Sequence, residues 1–227
     1  MPHTVYKNEK GKRLRSVTTI INQNLGWSKG ALLGWQLKLF DEGLDPRKEL
    51  KKAGNIGTLA HEMIEKFETG DSVVLDGYEP EEISQAKQAY YNYFDWQEQN
   101  NLEIYKTELK LVSEKYQFGG TFDAVGWLNG RFVLIDYKTS NNAYTEFLIQ
   151  MAAYKQLWEE HVENEIIPKT NKKAIEQRKT HLKIRGGVLL QLEKEDKGYK
   201  EYHYNLSDLK WGWKMFKLLL KIQENKR

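Results

Sequence analysis

The sequence contains no cysteine among its 227 residues. Disulfide bonds, thiolate zinc sites, cysteine-ligated iron–sulfur clusters and cysteine nucleophiles are therefore all excluded. It also lacks any apolar run approaching the roughly 18 residues that span a membrane. The basic start of the chain has no apolar stretch behind it, so no secretory signal is expected. These absences fit a reducing compartment, and we expect a cytoplasmic protein that does not contact a membrane.

A large excess of charge and a nucleotide-binding loop are also missing. Lys and Arg number 35 and Asp and Glu 32, and the resulting net charge of +3 is too small to indicate nucleic acid by itself. The pattern G-x-x-x-x-G-K-[ST] does not occur, so no P-loop nucleotide cofactor is expected. Hydrophobic residues make up 40% of the chain and charged residues 30%. This composition predicts a folded core under a heavily charged surface.

The length indicates one domain with additions, or two small domains that share a core. We take the chain as a single domain over residues 1–227. Its parts would be a loose basic lead-in (1–15), a helical portion (16–100), a strand hairpin with a helix (101–162), and a basic loop, second hairpin and C-terminal helix (163–227).

The hydrophobic pattern changes period along the chain. Helical spacing predicts helices over residues 29–42, 56–68, 80–99 and 143–160, and a last helix with Ser207 as its N-cap. Alternation and β-branched residues predict strands over residues 103–112, 120–128, 131–138, 187–192 and 199–204. Residues 16–24 form a short β-like run, and the helix after it would carry one apolar side formed by Leu32, Leu33, Leu37 and Phe40. This order predicts an α/β (α+β) fold with a mixed β-sheet and flanking helices.

The stretch GGTFDAVGWLNGRFVLIDYKTS is the most informative part of the sequence. Asn129-Gly130 between two strand-like runs predicts a two-residue type I′ turn. The register set by this turn places Asp123 directly across from Asp136 on one face of the hairpin. Lys138 lies two residues after Asp136 and shares that face.

Two carboxylates that face each other destabilise a sheet unless one keeps its proton or a cation lies between them. Oxygen ligands suit a hard cation such as Mg²⁺ or Mn²⁺. The alternative is a register shift at a bulge, which would leave both aspartates exposed and Lys138 in a surface ion pair. The hairpin alone does not decide between the two.

Two helices carry further polar residues at helical spacing. His61 and Glu65 lie one turn apart, and the second histidine of an H-E-x-x-H zinc protease is absent. Glu146, Gln150 and Tyr154 form one polar stripe on an otherwise apolar helix that begins a few residues after the hairpin. His61 is either a surface or hydrogen-bonded core residue or part of a site, and the polar stripe is either a solvated face or part of a site next to the hairpin.

Together these residues resemble the PD-(D/E)XK nuclease superfamily, and its RecB-type exonuclease branch fits best because it adds the helix-borne histidine and the Gln/Tyr motif. The resemblance implies a restriction-endonuclease-like core and covers roughly residues 16–155. The elements that carry it are Gly57-x-x-x-His61, Glu108 on a strand, Gly120-x-x-Asp123, Asp136-Tyr137-Lys138 and Gln150-x-x-x-Tyr154.

The resemblance implies a metal-dependent phosphodiesterase. Asp123 and Asp136 would bind Mg²⁺ or Mn²⁺, with the Tyr137 backbone carbonyl as a third oxygen and His61 as a further ligand. Lys138 would orient or help to deprotonate the attacking water and offset charge on the phosphate.

Three further residues have implied roles. Gln150 and Tyr154 would position the DNA strand or the lysine, and Glu108 matches an acid of the family. The expected activity is that of a DNA exonuclease acting on single-stranded ends in recombination, repair or phage replication. An endonuclease, or a non-catalytic DNA-binding module on this fold, are the alternatives. A recombination or replication protein is a candidate partner.

Substrate contacts are less specific. A basic run could follow phosphates or form a solvated loop; its cations are Lys169, Lys172, Lys173, Arg178 and Lys179. Four aromatic residues are candidates for stacking on unpaired bases, with core packing as the alternative: Trp27, Trp35, Tyr116 and Trp127. The G-x-S-x-G pattern around Ser28 resembles an esterase nucleophile elbow but has too few strands around it, and Ser28 is better explained as a helix N-cap.

Overall fold

The computed structural model describes residues 4–163, 180–196 and 198–225. Its strands are β1 (Tyr6–Lys7), β2 (Arg13–Ser16), β3 (Leu102–Ser113), β4 (Phe118–Leu128), β5 (Arg131–Lys138), β6 (Gly187–Leu192) and β7 (Tyr199–Tyr204). Its helices are α1 (Val17–Asn24), α2 (Lys29–Asp41), α3 (Pro46–Thr69), α4 (Pro80–Gln99), α5 (Thr145–His161) and α6 (Leu206–Glu224). The predicted α/β class with a mixed sheet and flanking helices is confirmed.

All seven of these strands belong to one sheet. Along it the order is β1-β2-β4-β5-β6-β7, and β3 pairs with β4 outside this path. The β2–β4 and β5–β6 pairs are parallel and the remaining pairs are antiparallel. Strand β3 pairs along the length of β4, so β2 and β5 must share the other edge of β4, one at each end.

Two hydrophobic clusters cover the two faces of the sheet. Residues of α1, α5 and α6 form one cluster with Phe122, Val125 and Leu134 of the sheet. Residues of α3 and α4 form the other with Ala124, Ile135 and Tyr137. Burial of both faces explains why β5 is almost continuously apolar, as strands inside layered α/β folds are. Among the described residues, no helix is long and apolar enough to cross a bilayer.

Two interpretations of the first 24 residues are wrong. Residues 1–15 are not a loose lead-in throughout, because β1 and β2 pair there and the Tyr6 side chain is buried. Residues 16–24 are helical rather than β-like. The Ser16 side chain accepts a hydrogen bond from the Thr19 backbone N–H, and Val17, Ile20 and Ile21 are buried at helical spacing.

Helix α3 begins at Pro46, about ten residues before the predicted start. Asp45 caps it by accepting a hydrogen bond from the Arg47 backbone N–H, and proline fits the first helical position. Gly54 and Gly57 therefore lie inside the helix. In contrast, α4 and β5 have the predicted bounds, and α6 differs only in its cap, which is Asn205 in place of Ser207.

The apolar side predicted for α2 does not pack into the core. Among the described residues, Leu39 is the one buried side chain of this helix. The four residues predicted to form the packed side are exposed by 40%, 57%, 58% and 73%: Leu32, Leu33, Leu37 and Phe40. Helix α2 is instead attached at its start, where the Ser28 backbone N–H donates to the Glu146 carboxylate of α5 at 2.8 Å.

Candidate active site

The turn between β4 and β5 has the predicted geometry. Asn129 and Gly130 both have positive φ, 48° and 74°, as a type I′ turn requires. The predicted register is confirmed from the Leu128–Arg131 pair to the Ala124–Ile135 pair. The turn therefore fixes which residues of the two strands meet further along the hairpin.

The regular pairing ends where Asp123 begins. The Tyr137 backbone N–H donates to Oδ2 of Asp123 at 2.7 Å, so a side-chain oxygen accepts this strand's hydrogen bond. The other Asp123 oxygen, Oδ1, lies 3.4 Å from Nδ1 of His61 on α3. The Asp136 carboxylate instead accepts a hydrogen bond from Gln150 on α5. The two aspartates thus come together at the open end of the hairpin, each with its own partners.

Glu108 of β3 enters the site through an unusual backbone conformation. Its φ is +46°, in the left-handed region that residues with a side chain rarely adopt. The flanking pairs Thr107–Ala124 and Leu109–Phe122 remain in register, so the distortion is confined to Glu108 opposite Asp123. Backbone strain of this kind costs on the order of 1–3 kcal/mol and is typical of functional sites.

Helix α3 carries His61 close to the sheet. A side chain at Gly57, one turn earlier, would place its Cβ 3.1 Å from Oγ1 of Thr139. Glycine therefore lets the helix approach the end of β5. Burial alone would lower the pKa of His61, but the Asp123 carboxylate outweighs burial and raises it.

Three carboxyl groups share this site, and burial and nearby charges shift the pKa of each. Burial, and then the charge of Asp123, raise the pKa of Glu108 to about 8. Burial also raises the pKa of Asp136 to about 6, although the Lys138 ammonium opposes this rise. Burial would raise the pKa of Asp123 as well, but His61 and Lys138 hold it below its usual value. The site therefore carries more carboxylates than its cations balance.

Lys138, Gln150 and Tyr154 surround the second aspartate. The Lys138 ammonium contacts Oδ2 of Asp136, donates to the Tyr137 carbonyl at 3.2 Å and lies 5.1 Å from the Phe147 ring centroid. Nε2 of Gln150 lies 3.3 Å from Oδ1 of Asp136 and 3.0 Å from the Tyr154 hydroxyl. The polar stripe of α5 thus faces the hairpin rather than solvent.

The donor set fits a divalent cation. Among the described residues, one group of three could hold a metal ion, with ligand atoms of His61, Glu108 and Asp123 all within 4.8 Å of one another. Asp136 lies outside this group, and its buried carboxylate contacts the Lys138 ammonium through Oδ2. Carboxylate oxygens and an imidazole nitrogen suit Mn²⁺, and the oxygens suit Mg²⁺. The ligand roles of His61, Asp123, Asp136 and the Tyr137 carbonyl all remain predictions, and the geometry adds Glu108 as a candidate ligand.

Comparison with known proteins decides the family. The family model of the PD-(D/E)XK nuclease superfamily matches residues 32–211, which is most of the chain. The chain belongs to the PD-(D/E)XK nuclease superfamily. Among curated proteins, none matches it.

Solved structures resemble this PD-(D/E)XK chain only distantly. The crystal structure of SSO0001 has 15% sequence identity and a TM-score of 0.33, over 76% of this chain and 74% of that one. The alkaline exonuclease LHK-Exo from Laribacter hongkongensis has 12% identity and a TM-score of 0.29, and its complex with dAMP has 13% and 0.31. Both LHK-Exo matches cover 73% of this chain and 79% of that chain. At these scores the likenesses decide nothing about activity.

Several residues around the PD-(D/E)XK site escaped sequence reasoning. The Tyr6 hydroxyl lies 2.9 Å from Oγ1 of Thr121, and its ring packs on Gly119, where any Cβ would lie 2.4 Å from it. No local pattern indicates this contact, because Tyr6 and Thr121 are distant in sequence. The Glu146 carboxylate accepts a hydrogen bond from the Ser28 backbone N–H and does not contact the site. Glu146 therefore has a structural role, unlike Gln150 and Tyr154 of the same stripe.

The candidate substrate contacts divide into three groups. Trp27 and Trp35 are 52% and 36% exposed. Tyr116 and Trp127 pack on other rings, Trp213 and Phe132, at 4.9 Å between centroids. The basic residues Lys169, Lys172, Lys173, Arg178 and Lys179 lie outside the described residues.

Ser28 occupies the predicted cap position, but its side chain makes no capping hydrogen bond. A helix, α1, precedes it in the chain, whereas a nucleophile elbow follows a strand.

Proposed function

We propose that this chain is a metal-dependent DNA exonuclease of the RecB type that hydrolyses phosphodiester bonds from single-stranded ends. The observation that supports it most is the convergence of His61, Glu108 and Asp123 beside the Asp136–Lys138 pair. Recombination, repair or phage replication are the processes that need such an activity. A protein of these processes is the partner we would expect.

His61, Glu108 and Asp123 would hold the cation, Mg²⁺ or Mn²⁺, and Asp136 would be a further ligand. The cation supplies a bound water of lowered pKa and neutralises charge on the phosphate. Burial raises the pKa values of Glu108 and Asp136, so a bound cation would favour the ionised form of both carboxyl groups.

Lys138 is the protein's own cation in this site. Its ammonium lies at Asp136, so it is placed to contact both a phosphate oxygen and a water near the carboxylates. The ring of Phe147 also contacts the ammonium, in a cation–π interaction. Lys138 thus orients the attacking water and offsets the charge that develops on the phosphate.

Gln150 and Tyr154 act on the same aspartate from α5. Gln150 donates to Asp136 and to the Tyr154 hydroxyl, which fixes its amide. Because both residues lie on consecutive turns of a buried helix face, they hold the Asp136 carboxylate in one orientation. We infer that they are positioning residues for Asp136 and for the substrate strand.

The choice between an exonuclease and an endonuclease rests on the resemblance of the His and Gln/Tyr motifs, and one experiment tests it. End-labelled linear single-stranded DNA and closed circular single strands are incubated with the protein in Mn²⁺, Mg²⁺ or EDTA. We expect the linear strand to be degraded with either metal, the circle to survive and EDTA to stop the reaction.

Other outcomes of this experiment contradict the proposal in distinct ways. Cleavage of the circle identifies an endonuclease of the same superfamily. Binding without cleavage in every metal identifies a non-catalytic module. Faster loss of labelled RNA than of DNA of the same sequence would reject the deoxyribonuclease assignment.

A further inference from the structure

A second cleft opens beside the metal group. It has a volume of about 420 Å³, and Ala53 of α3 lines both this cleft and the pocket of about 360 Å³ that contains His61, Glu108 and Asp123. The volume lies within the range of small-molecule sites, roughly 300–1,000 Å³. A ligand could therefore occupy the second cleft while it remains connected to the metal group.

Aromatic side chains form the walls of this cleft. Trp35 of α2 is one of them and is 36% exposed. Tyr144 and Phe147, at the start of α5, are two more, with ring centroids 5.6 Å apart in an edge-to-face contact. Phe147 is also the ring that holds the Lys138 ammonium. The aromatic wall is thus in direct contact with the cation proposed to meet the phosphate.

The α2 wall is held in place although its helix has a mostly exposed apolar surface. The Glu146 carboxylate of α5 accepts a hydrogen bond from the Ser28 backbone N–H at the start of α2. Glu146 itself is 9% exposed, so water competes little for this bond. Because Tyr144 and Phe147 flank Glu146 on the chain, the bond fixes the two aromatic walls relative to each other.

Polar groups at the rim add hydrogen-bonding capacity. Asn141 and Asn142 line the cleft, and the side-chain amide of neither makes a hydrogen bond within the described part of the chain. Each amide offers two donors and an acceptor, as a base edge requires. Lys194 approaches from the loop after β6 and adds a positive charge.

We propose that this cleft holds one unpaired nucleobase of the substrate strand, with Trp35 stacked on it, next to the phosphate at Lys138. The proposal rests on the proposed function and explains why that function would need single strands. A base inside a duplex is stacked and paired, so its faces are not available to Trp35. Aromatic walls with few charges favour a base over a second phosphate, which would need more cations.

The test is a binding cycle that needs no metal and no cleavage. Fluorescence anisotropy in EDTA measures the affinity for a labelled single-stranded 12-mer and for a series in which one base at a time is removed as an abasic analogue. One abasic position should weaken binding about tenfold, as expected for the loss of one stacked base. Trp35→Ala should weaken binding of the intact strand by a similar factor. In this variant, removal of the base at the sensitive position should cause no further loss of affinity.

Matched variants separate stacking from general effects. Trp35→Phe keeps a ring and should retain most of the affinity. Trp211→Ala removes a tryptophan that is 41% exposed on α6 and does not line the cleft, so it should keep the full abasic penalty. Circular dichroism melts of each variant confirm that it is folded.

The possible results distinguish the cleft from the proposed function. If Trp35→Ala and every abasic position weaken binding independently, with their fold-changes multiplying, the cleft does not hold a base and this inference is overturned. The proposed function would stand if the same protein still degrades linear DNA. Conversely, a coupled Trp35 effect in a protein that cleaves nothing would support the cleft and reject the exonuclease.

Discussion

The two ends of the β4–β5 hairpin differ in strand pairing and in backbone strain. At the turn end, residues pair in regular register from Leu128–Arg131 to Ala124–Ile135 and apolar side chains are buried on both faces. At the open end, a carboxylate oxygen of Asp123 accepts the backbone hydrogen bond and Glu108 has a left-handed backbone. One end is optimised for stability, while the other keeps strain and like charges that stability alone would remove.

The comparison shows how a rigid element can support an unfavourable site. The turn sets the register of the two strands, and this register fixes the positions of the aspartates at the open end. The residues of the open end do not need to stabilise that register themselves. Sites built on regular elements are held more accurately than sites on loops. We therefore expect changes at the open end to alter chemistry more than stability, and changes at the turn end to do the reverse.

The largest effect should come from the aspartates of the open end. Asp136→Asn and Asp123→Asn each remove a charge proposed to hold the cation, so cleavage of single-stranded DNA should fall at least about a hundredfold. Binding of DNA in EDTA should remain, since removing one of several crowded carboxylates relieves repulsion. Initial rates and anisotropy measure the two properties. Asp95→Asn, an exposed acid on α4, is the control and should cleave at the parent rate.

A glycine beside the open end should affect both properties. In Gly120→Ala the new Cβ would lie 2.7 Å from Cε1 of Tyr154 and 3.0 Å from Cδ1 of Leu157. Overpacking of this kind costs about 1–3 kcal/mol. Because Tyr154 holds Gln150 against Asp136, cleavage should fall as well. Gly34→Ala, whose Cβ would meet nothing within 4 Å, should leave the rate unchanged; equal losses in both variants would contradict this explanation.

The turn end should lose stability without losing activity. Gly130→Ala places a side chain at φ 74°, which costs roughly 1–2 kcal/mol, or about 2–8 °C in melting temperature. Thermal denaturation followed by circular dichroism measures the shift. Asn129→Gly is the control: glycine adopts the positive φ of this position without strain, so the variant should melt within about 2 °C of the parent. A Gly130→Ala protein that melts normally but cleaves slowly would reverse the comparison.

The smallest effect should come from replacing Glu108 by Gln, which should increase stability in a pH-dependent way. The pKa of Glu108 is raised from 4.5 to about 8, so the folded protein retains a proton that the unfolded chain releases. Stability from this group is therefore present below about pH 4.5 and is lost as the pH rises through 8. Glu108→Gln should stabilise the metal-free protein by about 1 kcal/mol at pH 8 and by little near pH 5.

Melts in EDTA across this pH range measure the Glu108 effect. Glu103→Gln changes an exposed acid at the turn end of the same strand and should show no such trend. A constant gain at all pH values would mean that ionisation of Glu108 is not the cause.

Local chemistry made some parts of this fold predictable. The Asn129-Gly130 turn needs only its two residues to fix the register, and α4 begins at a proline whose preceding residue, Glu79, donates its N–H to Glu82. Helix α1 was missed because β-branched residues favour strands, while the Ser16 cap and the burial of Ile20 and Ile21 outweighed that preference. Helix α3 extends back to Pro46 for a local reason, the Asp45 cap and the proline at the first helical position, because no residue of 46–55 is buried.

The candidate site was predictable as a set of residues but not as an arrangement. Turn geometry brings Asp123 and Asp136 to the same end of the hairpin, yet nothing local specifies that Asp123 pairs with His61 while Asp136 meets Gln150. The left-handed backbone of Glu108 depends on the strand beside it. These features arise from packing between elements distant in sequence, which no single stretch encodes.

The shared edge of β4 has a consequence for synthesis of the chain. Strand β2 pairs with the start of β4 through Arg15 and Phe118, about 100 residues later. At typical translation rates, β2 waits about 5–20 s for that partner to leave the ribosome. By the end of this interval the helix that carries His61 is complete and Glu108 has been made, but Asp123 has not. The nascent chain therefore cannot assemble its metal group until more than half of it has been made.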